Sequence, residues 1–148
     1  MFNTIVVGLD GSETSHTALR LACDLAGKYD ADLHLVHTPQ PKTVAFAMGA
    51  VAGYHTATTM PHADEVQAAG NKILDQGAEI AAEMGRTVTG KHQQLGEPAD
   101  VIIGYAQGCD ADLIVTGRRG LGSISALVQG STTQRVNHLA QCACLSVV

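Results

Sequence analysis

Glycine and hydroxyl residues follow a short apolar run toward the C-terminal end of the chain. Two residues separate Gly117 from Gly120, nine more separate Gly120 from Gly130, and Ser131 and Thr132 follow directly. Glycine lets backbone N–H groups approach an anion closely, and the first turn of a helix offers unpaired N–H donors at the positive end of its dipole. This pattern predicts a phosphate-binding loop between a strand and a helix.

A simpler interpretation of the same stretch stays open. An ordinary strand-to-helix turn also uses glycines, because they relieve backbone strain. Ser131 and Gln134 have the spacing of a capping box, which predicts a helix from about Ser131 to Ala140. If Ser131 caps that helix, its backbone N–H matters more for an anion than its hydroxyl does.

Three segments of the chain, in order, resemble the universal stress protein family. The glycine spacing is similar to that of the family's nucleotide-binding members, residues 4–12 are similar to its first strand and acidic turn, and residues 96–102 are similar to its third strand-to-helix junction. The resemblance runs from end to end. Residues 140–144 depart from it, because they read Ala-Gln-Cys-Ala-Cys where such proteins often have Ala-Pro-Cys-Pro before the last strand.

The resemblance implies an ATP site, and whether Mg²⁺ accompanies the ATP stays open. Backbone donors at Gly120, Gly130 and Ser131 would hold the phosphates, together with the hydroxyls of Ser131 and Thr132. Thr116 and Gly117 would line the ribose.

The resemblance also implies residues around the base. Leu9 and Thr38 would flank the adenine, and the Thr38 backbone would read its amino edge. Asp10 would lie near a ribose hydroxyl, a base edge or a metal-bound water, with a turn-forming or capping aspartate as the alternative. Apart from the resemblance, Arg118 and Arg119 place two of the nine cationic side chains in one loop, where at least one would meet a phosphate or an acidic partner. The alternative is that both are solvated.

Apolar, β-branched runs alternate with helical periodicity along the chain, which predicts an α/β fold with a parallel sheet and helices on both faces. The resemblance adds the strand order 3-2-1-4-5. In such a sheet, ligands bind beyond the carboxyl ends of the strands at the point where the chain reverses direction. The predicted strands are Thr4 to Leu9, Asp32 to Thr38, Thr87 to Leu95 at the sheet edge, Asp112 to Thr116 and Cys144 to Val148.

Composition narrows the function classes. The 148 residues predict one domain over positions 1–148, and a net charge of −5 with nine Lys and Arg disfavours nucleic acid as a partner. No apolar run reaches the length of a membrane span. Four cysteines without a recognisable signal segment predict a cytoplasmic protein with free thiols.

Two common nucleotide motifs are absent. No Gly-x-x-x-x-Gly-Lys-Ser/Thr run supplies a phosphate-polarising lysine, and no Gly-x-Gly-x-x-Gly follows the first strand. His37 is predicted to be a buried, hydrogen-bonded histidine rather than a catalytic base. These observations disfavour rapid ATP hydrolysis and dinucleotide chemistry.

The prediction is therefore an ATP-binding regulatory protein that assembles as a homo-oligomer through its C-terminal strand. One alternative is a slow ATP hydrolase, and another is an interaction module that regulates a membrane transporter or a signalling protein. Residues 39–61 are predicted to form either a lid over the nucleotide or a surface loop without a binding role.

Overall fold

The computed structural model describes residues 1–40, 62–119 and 130–148. Most of the predicted lid at 39–61 and the predicted phosphate donor Gly120 lie outside these ranges. Strands and helices alternate along the described chain, as the sequence predicts. They are β1 (Thr4–Leu9), α1 (Glu13–Tyr29), β2 (Asp32–His37), α2 (Ala63–Glu83), β3 (Gly90–Gln93), α3 (Pro98–Gly108), β4 (Leu113–Gly117), α4 (Ser131–Leu139) and β5 (Ala143–Val147).

The five strands form one parallel sheet in the order β3-β2-β1-β4-β5. This confirms the predicted fold class and the strand order that the family resemblance implied. Ile5 and Val7 of β1 pack toward α1 and α2, whereas Val6 packs toward α3 and α4. Because both faces of β1 and β4 are buried, these two strands read as continuous apolar runs in the sequence.

The ends of some elements differ from the prediction. β3 is limited to Gly90–Gln93 because it pairs only with β2, whose last residue, His37, pairs with Gln93. Asp112 precedes β4 instead of starting it, and its carboxylate accepts the backbone N–H groups of Asn3 at 2.7 Å and Thr4 at 3.0 Å. The last strand begins and ends one residue earlier than predicted, at Ala143–Val147.

The predicted capping box at α4 is wrong. Gly130 is the N-cap, Ser131 is the first helical residue, and no side chain caps the helix. The start of α4 is instead set by long-range bonds, because Gly130 N–H donates to the Arg118 carbonyl at 2.9 Å and the Thr133 hydroxyl donates to the Gly117 carbonyl at 2.7 Å. The starts of two other helices are set locally, because the Ser12 side chain caps α1 and Pro98 is the first residue of α3.

Among the helices of the described ranges, none combines the length and apolar character that crossing a membrane requires.

Candidate functional site

The three central strands end side by side at one edge of the sheet. Leu9 pairs with His37 across β1 and β2, and Gly8 pairs with Thr116 across β1 and β4. The chain leaves β1 toward β2, while β4 lies on the other side of β1. Such a reversal opens a crevice beyond the carboxyl ends of the strands, where doubly wound proteins bind their ligands.

A tight turn carries the chain from β1 into α1. The Asp10 Oδ1 atom accepts from the Ser12 backbone N–H at 2.9 Å and from the Ser12 hydroxyl at 2.6 Å. Gly11 has a φ of +84°, which favours glycine. The Ser12 Oγ atom in turn accepts from the Ser15 N–H at 3.2 Å and caps the helix. Asp10 therefore forms the turn, and this fixes the direction of its carboxylate.

The end of β4 packs directly against the first turn of α1. A Cβ atom added to Gly117 would lie 2.9 Å from the Thr14 carbonyl carbon and 3.0 Å from the Ser15 nitrogen. The Thr14 hydroxyl also donates to the carbonyl of Arg119. Only glycine permits this approach, so Gly117 is required for the packing of β4 against α1 in addition to its expected role beside the ribose.

The start of α4 is fixed to the same turn. Arg118 N–H donates to the Val147 carbonyl at 2.6 Å, and its own carbonyl accepts from Gly130 N–H at 2.9 Å. The expected phosphate donor at Gly130 is thus engaged within the chain. The next backbone donors, at Ser131 and Thr132, belong to a helix start that has no capping side chain.

The electrostatics of α4 differ from those of the other described helices. The first turns of α1, α2 and α3 contain acidic residues, whereas the first turn of α4 contains none. Acidic side chains near a helix N-terminus offset the positive end of the helix dipole. The N-terminus of α4 therefore has no acidic first-turn side chain to offset that charge.

Two side chains at the end of β2, those of His37 and Thr38, are buried at this edge. Thr38 is 7% exposed, and its Oγ1 atom has no hydrogen-bond partner in the described part of the chain. A buried hydroxyl without a partner costs about 1–3 kcal/mol. The His37 Nδ1 atom lies 2.7 Å from the Leu9 carbonyl oxygen, and burial lowers the pKa of this imidazole below its ordinary value. His37 is therefore the buried, hydrogen-bonded residue that the sequence predicts.

The sequence-predicted residues do not all present their side chains at this edge. Leu9 is 4% exposed and packs toward Gly77 of α2, so its side chain belongs to the core. The Thr116 side chain is buried as well, while Ser131 is exposed and Thr132 is half-buried. Arg119 is half-buried, and its backbone carbonyl accepts a hydrogen bond from the Thr14 hydroxyl.

Sequence reasoning missed the structural roles of Thr14 and Thr133. Both hydroxyls tie a helix start to the end of β4. Thr133 extends the Gly-Ser-Thr run by one hydroxyl residue, which was the available signal. No comparable local signal marks Thr14, because its partner lies 105 positions away in the sequence.

No group of three or more His, Cys, Asp or Glu side chains in the described ranges is arranged to hold a metal ion. The four cysteines are free, and burial raises the pKa of the Cys23 thiol to about 11. A thiol with so high a pKa stays protonated at neutral pH and is a poor nucleophile.

Known proteins are similar to this chain in both sequence and architecture. A Bacillus subtilis protein named universal stress protein YxiE is 32% identical over 148 residues, covering 99% of each chain. A universal stress protein solved in complex with cAMP is 27% identical with a TM-score of 0.70, covering 99% of this chain and 97% of that one. The UspA protein of Lactobacillus plantarum, at 22% identity, shares the fold with a TM-score of 0.74, over 99% of this chain and 97% of its own. Residues 1–147 match the family described as the universal stress protein family, and the chain belongs to that family.

Proposed function

We propose that this protein binds an adenine nucleotide, with ATP as the preferred ligand, and acts as a regulatory protein whose conformation or assembly responds to that nucleotide. The observation that carries the proposal is the start of α4, which has neither a capping side chain nor an acidic first turn. It is held against the end of β4 by the Gly130 to Arg118 hydrogen bond.

The phosphates are assigned to this helix start. The N–H groups of Ser131 and Thr132 are donors at the positive end of a helix dipole, which is an environment that stabilises an anion. The hydroxyls of the same two residues add donors next to them. Gly130 contributes by lacking a side chain at the N-cap, and Gly120 and Arg119 complete the phosphate side of the proposed site.

The base is assigned to the side of β2. The buried Thr38 hydroxyl has no partner in the described chain, and the polar edge of a purine could satisfy such a group. Asp10 follows β1 and Thr116 belongs to β4, and both strands lie on the same side of β2, away from β3. The ribose is therefore assigned to the region between Thr38, after β2, and the start of α4, after β4. The relative solved with cAMP is an adenine nucleotide complex, which supports adenine as the base class.

We propose a regulatory role instead of a catalytic one because the titratable side chains at this edge are hydrogen-bonded to the backbone. Asp10 forms the turn before α1, and His37 holds the Leu9 carbonyl. Neither is presented as a free base toward the expected position of a γ-phosphate. The response to nucleotide is assigned to assembly, because β5 is an edge strand that is bonded to the nucleotide side through Arg118 and Val147.

Isothermal titration calorimetry of the protein with ATP, cAMP and GTP tests the proposal. ATP should bind more tightly than GTP, and Gly130→Val should abolish measurable binding because a side chain would then cover the helix start. Gly104→Val is the matched control, since a Cβ added at Gly104 meets no atom within 4 Å. If a folded Gly130→Val protein binds ATP as tightly as the control, the assignment is wrong.

A further inference from the structure

A hydrogen bond joins the side chain of β2 to the backbone of β1 at the last register pair of the two strands. The His37 Nδ1 atom lies 2.7 Å from the carbonyl oxygen of Leu9, its partner in the register. His37 is 6% exposed and Leu9 is 4% exposed. A hydrogen bond at a buried position is electrostatically stronger than one in water.

The acceptor determines the tautomer of the imidazole. A carbonyl oxygen only accepts, so the Nδ1 atom must carry the hydrogen. Burial lowers the pKa of His37, so the ring is neutral at neutral pH and its Nε2 atom carries no hydrogen. The Leu9 carbonyl thus accepts a hydrogen bond from a neutral imidazole N–H, and the β2 backbone sets the direction of that N–H.

The bonded carbonyl belongs to the peptide that enters the Asp10 turn. Because a peptide unit is planar, fixing the Leu9 carbonyl also fixes the direction of the Asp10 nitrogen. Asp10 then holds Ser12, and Ser12 caps α1. A continuous series of bonds therefore leads from His37 to the acidic residue expected beside the nucleotide.

We infer that His37 is a positioning residue for nucleotide binding: its Nδ1–H sets the peptide before Asp10 and so places the Asp10 turn against the ligand. The inference rests on the proposed function of the site. His37 does not itself contact the nucleotide, and its effect is transmitted through the backbone of Leu9.

Three substitutions separate positioning from simple packing. His37→Asn places an amide N–H at the same number of bonds from the backbone as Nδ1, so the donor to Leu9 is retained. His37→Gln moves the amide toward the Nε2 position, and His37→Leu keeps an apolar volume without a donor. If the residue only fills space, the asparagine variant should be the worst of the three because it is the smallest.

The experiment measures ATP affinity by calorimetry for the full chain and the three variants, with thermal unfolding as a control for folding. The asparagine variant should bind within about threefold of the wild type, and the other two should bind at least about tenfold more weakly. Nitrogen NMR of wild-type His37 should show hydrogen on Nδ1. The amide signals of Asp10 and Ser12 should move in the glutamine and leucine variants but not in the asparagine variant.

The two proposals fail in different ways. If the wild type binds no adenine nucleotide, the proposed function is wrong, and the Asp10 and Ser12 signals still decide whether His37 sets the turn. If the wild type binds ATP and the leucine variant binds it equally well, or if the hydrogen is on Nε2, the positioning role is overturned.

Discussion

The start of α4 can be tested by removing a single backbone donor. Ser131 is the first helical residue, a position where proline is well tolerated because its ring fits the helical φ. Gly130 has a ψ of 144°, within the extended range that a residue before proline adopts. The chain already contains this arrangement in α3, where Glu97 with a ψ of 122° precedes Pro98. Ser131→Pro should therefore remove the N–H and the hydroxyl while leaving α4 folded.

The expected magnitude follows from the exposure of Ser131. A hydrogen bond to a charged group contributes about 1.5–3 kcal/mol, and the lower end applies because Ser131 is exposed to water. A loss of about 1.5 kcal/mol corresponds to roughly tenfold weaker ATP binding. Ser131→Ala is the matched variant, since it removes the hydroxyl alone and should lose less affinity than the proline variant.

Calorimetry with ATP and a thermal unfolding scan of each variant supply the measurements. A melting temperature close to that of the wild type would show that α4 is intact in the proline variant. Equal ATP affinity for the proline variant and the wild type would then refute phosphate binding by the Ser131 N–H.

The remaining predictions concern pH, catalysis and assembly. Burial lowers the pKa of His37 from about 6.5, so the unfolded chain binds more protons than the folded chain below that pH. The contribution of neutral His37 to stability is therefore complete above about pH 6.5 and should decline as the pH falls below it. In urea titrations this decline should be steeper for the wild type than for His37→Asn. Backbone N–H donors lower the pKa of Asp112 from 3.8, so its contribution should be present above about pH 4 and lost in more acidic solution, and Asp112→Asn should show a weaker acid dependence in the same titrations. Steady phosphate release from ATP should be far slower than the enzyme median of about 10 per second, because the sequence has no Gly-x-x-x-x-Gly-Lys-Ser/Thr loop to supply a phosphate-polarising lysine. Release at that rate, abolished by Asp10→Ala, would contradict a regulatory role. Light scattering should detect an oligomer that Val148→Lys weakens, since Val148 is 73% exposed beside the edge strand β5, and a wild type that stays monomeric with and without ATP would overturn the interface.

The order of strands and helices could be predicted because their signals are local. β1 and β4 are apolar on both faces, and a buried parallel strand has this composition at every position. The Ser12 cap and Pro98 are local signals of the same kind, since each acts on the helix that directly follows it. The strand order came from the family resemblance, because local patterns do not state which strands are neighbours.

The geometry of the candidate site was decided by contacts between distant parts of the chain. Ser131 and Gln134 have the spacing of a capping box, yet the bonds from Gly130 to Arg118 and from Thr133 to Gly117 place the helix start one residue earlier in the capping scheme. A side chain such as Leu9 can be recognised as apolar from the sequence, but its packing toward Gly77 depends on where α2 crosses the sheet.

The sequence by itself therefore determined which residue types reach the carboxyl edge of the sheet at β1 and β4, because the end of each continuous apolar run marks where the buried strand stops. Only the tertiary structure decided which N–H and hydroxyl donors at that edge are already hydrogen-bonded within the protein. The bond from His37 to Leu9 spans 28 positions and the bond from Thr14 to Arg119 spans 105. Such bonds form because parallel strands bring their ends together, and no local propensity records that proximity.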